Sequence, residues 1–545
     1  MIISSEKFGF VSGSDCTEKL VELLEMLKNA NEEVSLVFEK GTYYLDSEKC
    51  KKVYRAITNT AAKSEHKDEK EANYHRTPLL FEDVKNFVFD GNGSEFVIDG
   101  KVTNMIISGC ENVAFKNFTI KTVNPNLHKF TVKKSSPFKT VFSLNKESRY
   151  IKENGKYYFD GKGYRYGFTE NAVLAWWTIH GSFTDNENYV LRGRHPLSGA
   201  VRVKETGDHE FSAFYLRPRK YKKGETFHVY DCVRSDVGIF AEDSRNIVFE
   251  NVTQNFNYSL AFVAQKCENI TIERCNFVPD KNGGLDIASL ADFIQICMCK
   301  GKITVKDCNF DGAGDDTINV HGMHFKVANV KGHTFNAVFG HPQTWGFNPF
   351  SPDDVIEFTD PKTLQCKDKA KIVSAELISE QEIKITVDKE IPSDYEKYVI
   401  EDVTLCPELE YTGNTVKRIV TRGMLYTSRG KCVIKDNHFF ATGMSGVLFS
   451  DDASSWYESG RCDDVTIENN IFDETGKNAV LILPENKTYA GAVHSNFKII
   501  NNTFRKYDGT CISVKATDNV EIKGNSFANN DRLETKDCKN IKCDF

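Results

Sequence analysis

No run of about 20 apolar residues, the length a membrane helix needs, occurs in the 545-residue chain, which leaves no candidate for a helical span. Low-complexity tracts of the kind that stay disordered are also missing. A large excess of charge is absent too. The net charge of -7 gives no reason to expect nucleic acid or an anionic membrane as partner, and it suits an acidic polymer poorly as substrate. The first residues, "MIISSEKFGFVSGSDCTEKL", hold neither an apolar stretch of signal-peptide length nor a small-residue cleavage site, so the expected location is the cytoplasm. The 16 cysteines lack the compact framework of a small secreted domain. Cys297/Cys299 and Cys538/Cys543 lack the repeated two-residue spacing of a zinc site, and His321 and His324 are not spaced to share a metal on a strand. The thiols are expected to be buried, reduced packing residues, and no cofactor is implied.

Phenylalanine, by contrast, is abundant, with 39 residues, which suggests stacked apolar columns. A helix is expected over 14–29, where Leu20, Leu23, Leu24 and Leu27 form one stripe behind a capping box of Asp15 and Glu18. Beyond it a nine-residue frame recurs to the end of the chain. It reads "NITIERCNF" from 269, "KITVKDCNF" from 302, "KCVIKDNHF" from 431, "DVTIENNIF" from 464, "NFKIINNTF" from 496 and "NVEIKGNSF" from 519. Weaker copies start at 86, 112 and 246. The fourth position is Ile272, Val305, Ile434, Ile467, Ile499 or Ile522; the seventh is Cys or Asn; the ninth is always Phe. Spacings of 23 and about 33 residues are coil lengths of a solenoid with loops of variable size. An Asn column bonding the turn backbone of the next coil is how such corners are satisfied. The alternation excludes leucine-rich and helical repeats. The fold class is therefore all-β, a right-handed parallel β-helix with a short N-terminal helix.

Two stretches break the rhythm and show hairpin signals, "DGKGYRYGF" in one and "LISEQEIKITVDKEI" in the other. The expected organisation is a cap with first coils (1–126), an inserted β-barrel-like domain (127–232), central coils (233–323), a second inserted barrel (324–420) and C-terminal coils (421–545). The pair Trp176–Trp177 reads as barrel core, with a substrate platform as the alternative.

Asp315 and Asp316, in "GAGDDTINVHG", lie 23 and 24 residues after Asp292, one coil of this solenoid. Residues one coil apart stack on neighbouring rungs, about 4.8 Å apart. A one-residue stagger opens the carboxyls to roughly 6–9 Å, the range in which one acid protonates a leaving oxygen while another activates water for inversion. Crowding should raise at least one pKa. Asp292, between Ala291 and Phe293, has the apolar setting of a protonated acid; Asp315 and Asp316, among glycines, have that of a base. Asp and Gly are also ordinary turn residues, and another "DD" occurs at Asp451–Asp452. Spacing alone leaves catalysis and a polar turn equally open.

"GAGDDTINVHG" preceded by "LADFIQICMCKGKI" resembles the central signature of glycoside hydrolase family 110. The segments "GHPQTWGFNPFSPDDVIEF", "YTGNTVKRIVTRGMLYTSRGKCVI" and "GMSGVLFSDDASSWYESG" resemble that family in the same order, over most of the chain. The resemblance implies a β-helical, inverting exo-α-galactosidase that removes terminal α-1,3-linked galactose, from blood-group-B-like or linear chains. It implies Asp292 as general acid and Asp315 with Asp316 as base. Gln295 stands where the family pattern has His, and Arg422 follows "IVT" where a more basic, Asn-rich run is usual; both bear on linkage or aglycone preference. Asn319 and His321 alternate on one strand and can face sugar hydroxyls together, with His321 capping a turn as the alternative. Trp456 and Glu458, two apart, can offer a ring to galactose and a carboxylate to a hydroxyl pair; Arg422 completes the candidate binding set. The expected partner is a galactose-terminated carbohydrate, with a homodimer as the assembly considered. The alternatives are a polygalacturonase-like hydrolase, whose "NTD" and "RIK" segments are missing, and a non-catalytic carbohydrate-binding β-helix.

Overall fold

A computed structural model of the chain describes residues 2–28, 33–60, 73–169, 181–186, 189–231, 234–280 and 282–545. Trp176–Trp177 lie outside the described residues. The chain winds into a parallel β-helix in which a coil contributes three strands. In the central coil these are Glu268–Glu273 on a first face, Asn276–Phe277 on a second and Ile294–Cys297 on a third. Each pairs in parallel with its counterpart one coil on: Ile272 with Val305, Phe277 with Phe310 and Ile294 with Ile318. Alternation along each strand sends one set of side chains inward, and the inward set forms a continuous apolar core.

The phenylalanine column is that core's spine. Phe277 and Phe310 stack with centroids 5.2 Å apart, and Phe439, Phe472, Phe504 and Phe527 follow at 5.0, 5.2 and 5.1 Å. Burying a Phe side chain contributes roughly 1.5–3 kcal/mol. Between Phe310 and Phe439 the column holds Val416, and the ring of Tyr411 from the neighbouring strand fills the gap. The asparagine column forms a ladder that reaches back rather than forward. Asn470 Oδ1 accepts from both the backbone N–H and Nδ2 of Asn437, at 2.9 Å each, and Asn437 Nδ2 also donates to Tyr411 O at 2.8 Å.

The N-terminal helix spans Thr17–Leu27 and buries Leu20, Leu23, Leu24 and Leu27. In place of a capping box, Asp15 Oδ1 accepts from Thr17 N and Thr17 Oγ1, and the N-cap position falls on Cys16. The described cysteines are free, and most are buried.

Antiparallel strands from His128–Ser136 to Thr226–Tyr230 form a seven-stranded sheet that shares a core of Phe130, Phe142, Phe159, Phe168 and Phe211 with a small three-stranded sheet. A second unit closes into a barrel of six strands: Ile318–Lys331, Thr334–Phe339, Glu382–Val387, Cys366–Ser379, Val355–Thr359 and Val399–Asp402. Ile318–Lys331 belongs to both bodies: its first half pairs within the solenoid and its second half within the barrel. The segment read as a barrel to residue 420 ends earlier. Glu408–Thr412 and Thr415–Ile419 run in parallel between the coils on either side, and Asn414 is a rung of the Asn ladder. Val416, in place of the expected Phe, is what hid this coil in the repeat pattern.

Candidate active site

The third face sets the register of the carboxylates. Ile294 pairs with Ile318, and Asn319 with Leu425, so positions two residues before these strands form one column: Asp292, Asp316, Arg422. The column beside it reads Ala291, Asp315, Thr421. Asp292 is thus in register with Asp316 and one residue out of step with Asp315. The bond from Asp316 N to Asp292 Oδ1, 3.1 Å, fixes the pair and leaves Asp292 Oδ2 as the oxygen able to carry a proton.

Around this column the donors are unevenly shared. Asp316 Oδ1 accepts from Arg422 Nε at 2.9 Å, from Arg422 N at 3.0 Å and from Thr421 Oγ1. Asp315 Oδ2 faces Arg192 Nη2 at 3.1 Å and Arg234 Nη2 at 3.2 Å, and its Oδ1 lies 3.1 Å from Thr421 Oγ1. Asp292 has the single backbone donor. Burial, and then the charges of Asp315 and Asp316, push the Asp292 carboxyl well above the usual carboxylate range. Burial would raise Asp315 as well, but Arg234, Arg192 and Arg422 outweigh it and hold Asp315 low. Burial and Asp315 raise Asp316 against the pull of Arg422. The carboxylates of Asp315 and Asp316 sit among the guanidinium groups of Arg192, Arg234 and Arg422, none of which hydrogen-bonds Asp292. The arrangement therefore sets carboxyls pushed up, Asp292 most of all, beside one held down, Asp315, in one buried cluster.

A cleft of about 110 Å³ opens over this cluster. Asp292, Asp315, Asp316, Asn319, Arg422, Trp456 and Glu458 all line it. Asn319 Nδ2 donates to Glu458 Oε1 at 3.0 Å. Trp456 is 44% exposed and stacks on His341 of the barrel, with ring centroids 4.1 Å apart. Its loop is organised by Asp452, whose carboxylate accepts the backbone N–H groups of Ser454, Ser455, Trp456 and Tyr457 at 2.5–3.2 Å.

His321 does not line the cleft. It points away from the solenoid core as alternation requires, but the short strand Glu458–Ser459 pairs with Gly322 and Met323 and covers it, leaving 2% exposed. That close approach needs Gly322: a Cβ there would sit 2.7 Å from Ser459 Oγ. His321 Nδ1 bonds to Gly322 O at 2.8 Å, so its N–H sits there and Nε2 accepts from Gln295 Nε2 at 3.1 Å. Gln295 is itself fully buried, behind the cleft wall. Among the described residues no group of three or more His, Cys, Asp or Glu side chains is arranged to hold a metal ion.

Sequence reasoning missed Arg192, Arg234, Thr421 and Asn59. The first two come from the barrel-like insert and its return to the solenoid, where no repeat marks position. Thr421 and Arg422 follow Asp315 and Asp316 by one coil, but the inserted barrel stretches that coil to 106 residues.

Two family models match the chain: GLAA-B beta-barrel domain II over residues 334–398, and periplasmic copper-binding protein (NosD) over residues 373–536. Alpha-1,3-galactosidase A of Bacteroides thetaiotaomicron is 32% identical over 520 residues, covering 94% of this chain and 88% of that protein. Alpha-1,3-galactosidase A of Streptomyces avermitilis is 28% identical, covering 94% and 85%. Alpha-1,3-galactosidase B of Bacteroides fragilis is 27% identical, covering 84% and 80%. Among solved structures, the Yersinia enterocolitica family 28 exopolygalacturonase aligns with a TM-score of 0.40 at 10% identity, covering 99% of this chain and 78% of that one.

Proposed function

The chain belongs to the alpha-1,3-galactosidases, glycoside hydrolase family 110, and from that premise we propose that it releases terminal α-1,3-linked galactose from oligosaccharides or glycans with inversion at the anomeric carbon. The observation that carries the reading is the column Asp292–Asp316–Arg422 with Asp315 beside it, at the floor of a cleft.

Asp292 donates its proton to the glycosidic oxygen, because burial and two neighbouring carboxylates keep it neutral. Asp315, held low by its arginines, and Asp316, bonded to Arg422, position a water and take its proton as it attacks the anomeric carbon from the opposite side. Their charge also stabilises the oxocarbenium-like transition state. Trp456 offers a ring to the apolar face of the sugar, and Asn319 with Glu458 a pair of groups for its hydroxyls.

The in-register stacking of Asp292 on Asp316 favours one rival assignment. In it those two hold the water between them and Asp315, offset by one residue, delivers the proton. Aryl α-galactosides with good leaving groups separate the two: the variant that lacks the true acid keeps turnover on them and loses it on the disaccharide.

A polygalacturonase-like reading has less support. Six carboxyl groups line the cleft (Asp292, Asp315, Asp316, Asp452, Glu458, Glu485) against the two arginines Arg234 and Arg422, a surface that repels uronate. Proton NMR during digestion of an α-1,3-galactosyl disaccharide tests the proposal. β-Galactose formed first supports it, α-galactose formed first overturns inversion, and no release overturns the activity.

A further inference from the structure

The cleft floor comes from the repeat, but Asn59, which also lines it, comes from the non-repetitive segment 56–60. On the third face one outward column reads Leu80, Ile106, Phe240, Val263, Gln295 and Asn319 along successive rungs. Its first four members are apolar, and Ile57 covers them in a buried cluster that also holds Leu260 and Ala291. Where the column turns polar, at Gln295 and Asn319, the cleft begins.

The residues after Ile57 are pinned from two sides. Gln265, on the rung before Asp292, accepts Thr58 N at its Oε1 (2.5 Å) and donates from Nε2 to Ala56 O (3.0 Å). From the barrel, Gln343 O accepts Asn59 N at 2.7 Å. Thr60 N and Oγ1 both return to Ile57 O, at 3.2 and 2.9 Å. This clasp forces Asn59 to φ +60°, a left-handed conformation that side chains other than Asn and Asp resist. Asn59 is 6% exposed and lines the cleft with Asp292 and Asp316, and its side-chain amide has no hydrogen-bond partner among the described residues. In a cleft of carboxylates and guanidinium groups it supplies a neutral donor and acceptor on one planar group, the chemistry that pairs with adjacent hydroxyls.

We infer that Asn59 is a substrate-binding residue whose amide pairs with hydroxyls of the terminal sugar, and that the Ile57, Gln265 and Gln343 contacts hold it in place. The inference rests on the galactosidase reading for the identity of the sugar. The test is Asn59→Gly, which removes the amide while tolerating the left-handed backbone, with Asn59→Ala and Gln265→Ala alongside. On the α-1,3-galactosyl disaccharide, Asn59→Gly should lose about 10- to 100-fold in kcat/KM, chiefly through KM, with an unchanged Tm. Asn59→Ala should lose as much and also melt lower; Gln265→Ala should raise KM by less. Galactose binding is measured by calorimetry on the same proteins. Wild-type KM and galactose affinity in Asn59→Gly would overturn the inference and leave the galactosidase reading intact. A wild-type protein that cleaves no α-galactoside, yet loses galactose affinity on Asn59→Gly, would remove that reading and support the inference.

Discussion

The chain spells two adjacent aspartates twice beside the third face, and the two pairs are solved by opposite physics. Asp315–Asp316 precede a strand of that face and meet guanidinium groups, a threonine hydroxyl and a third carboxyl, Asp292. Asp451–Asp452 follow the strand Val447–Phe449. There Asp451 Oδ1 pairs with His324 Nε2 at 2.9 Å, and Asp452 caps four backbone N–H groups. Backbone donors cannot move and carry no net charge, so the second pair has its demands met and holds a loop. The first cluster crowds three carboxyls together, and Asp292, buried beside the other two with a single backbone donor, is the one pushed well above the usual carboxylate range. The same dipeptide is thus a loop support in one place and, in the function proposed, a poised reagent in the other.

Single substitutions should separate the pairs most widely through turnover. Asp292→Asn, Asp315→Asn and Asp316→Asn should each lower kcat by about 10³-fold or more while leaving a folded protein. Asp451→Asn should keep kcat within about threefold, since its partner His324 lies outside the cleft lining. Disaccharide kinetics beside circular dichroism check this; equal losses from both pairs would erase the distinction.

A smaller effect tests the supporting role. Asp452→Ala strips the acceptor from four backbone donors and should cost about 2–3 kcal/mol in urea unfolding. Because those donors shape the Trp456 loop, KM should rise about tenfold with a smaller change in kcat. Trp456→Ala, at an exposed ring, should reproduce the rise in KM without the loss of stability. If Asp452→Ala left KM unchanged, the loop would be independent of its cap.

How far such a division could be read from sequence depends on what carries each residue. The Phe and Asn columns, and the coil-length separation of Asp292 from Asp315 and Asp316, are written by a period that every rung must obey. The carboxyl cluster was legible for that reason. Alternation also gave the side of the strand for Asn319 and His321, but not that Glu458–Ser459 would close over His321, because that pairing joins residues about 140 apart. Arg192, Arg234 and Asn59 reach the cleft from segments without a period, so their positions follow only from tertiary packing. The barrel boundary failed for a related reason: one Val in the Phe column made a true coil look like insert.

The finest contrast between the pairs is the sign of their coupling to pH. Asp292 is raised in the folded state by burial and by Asp315 and Asp316, so folding takes up a proton between its unfolded pKa, about 3.9, and its folded value. Stability falls across that window as pH rises. Asp292→Asn cannot ionise, so relative to wild type it should gain stability as pH rises from about 4 toward neutrality. Asp451 runs the other way: burial opposes its charge, but the His324 hydrogen bond and the neighbouring His324, His494 and Arg429 together depress it. Its contribution is present above about pH 3.9 and is lost as pH falls through the folded value. Asp451→Asn should therefore be less stable than wild type near neutrality, with the gap narrowing in acid. Urea unfolding of wild type and both variants across this range gives two slopes of opposite sign. Slopes of the same sign would mean that both pairs are merely structural, or that neither is.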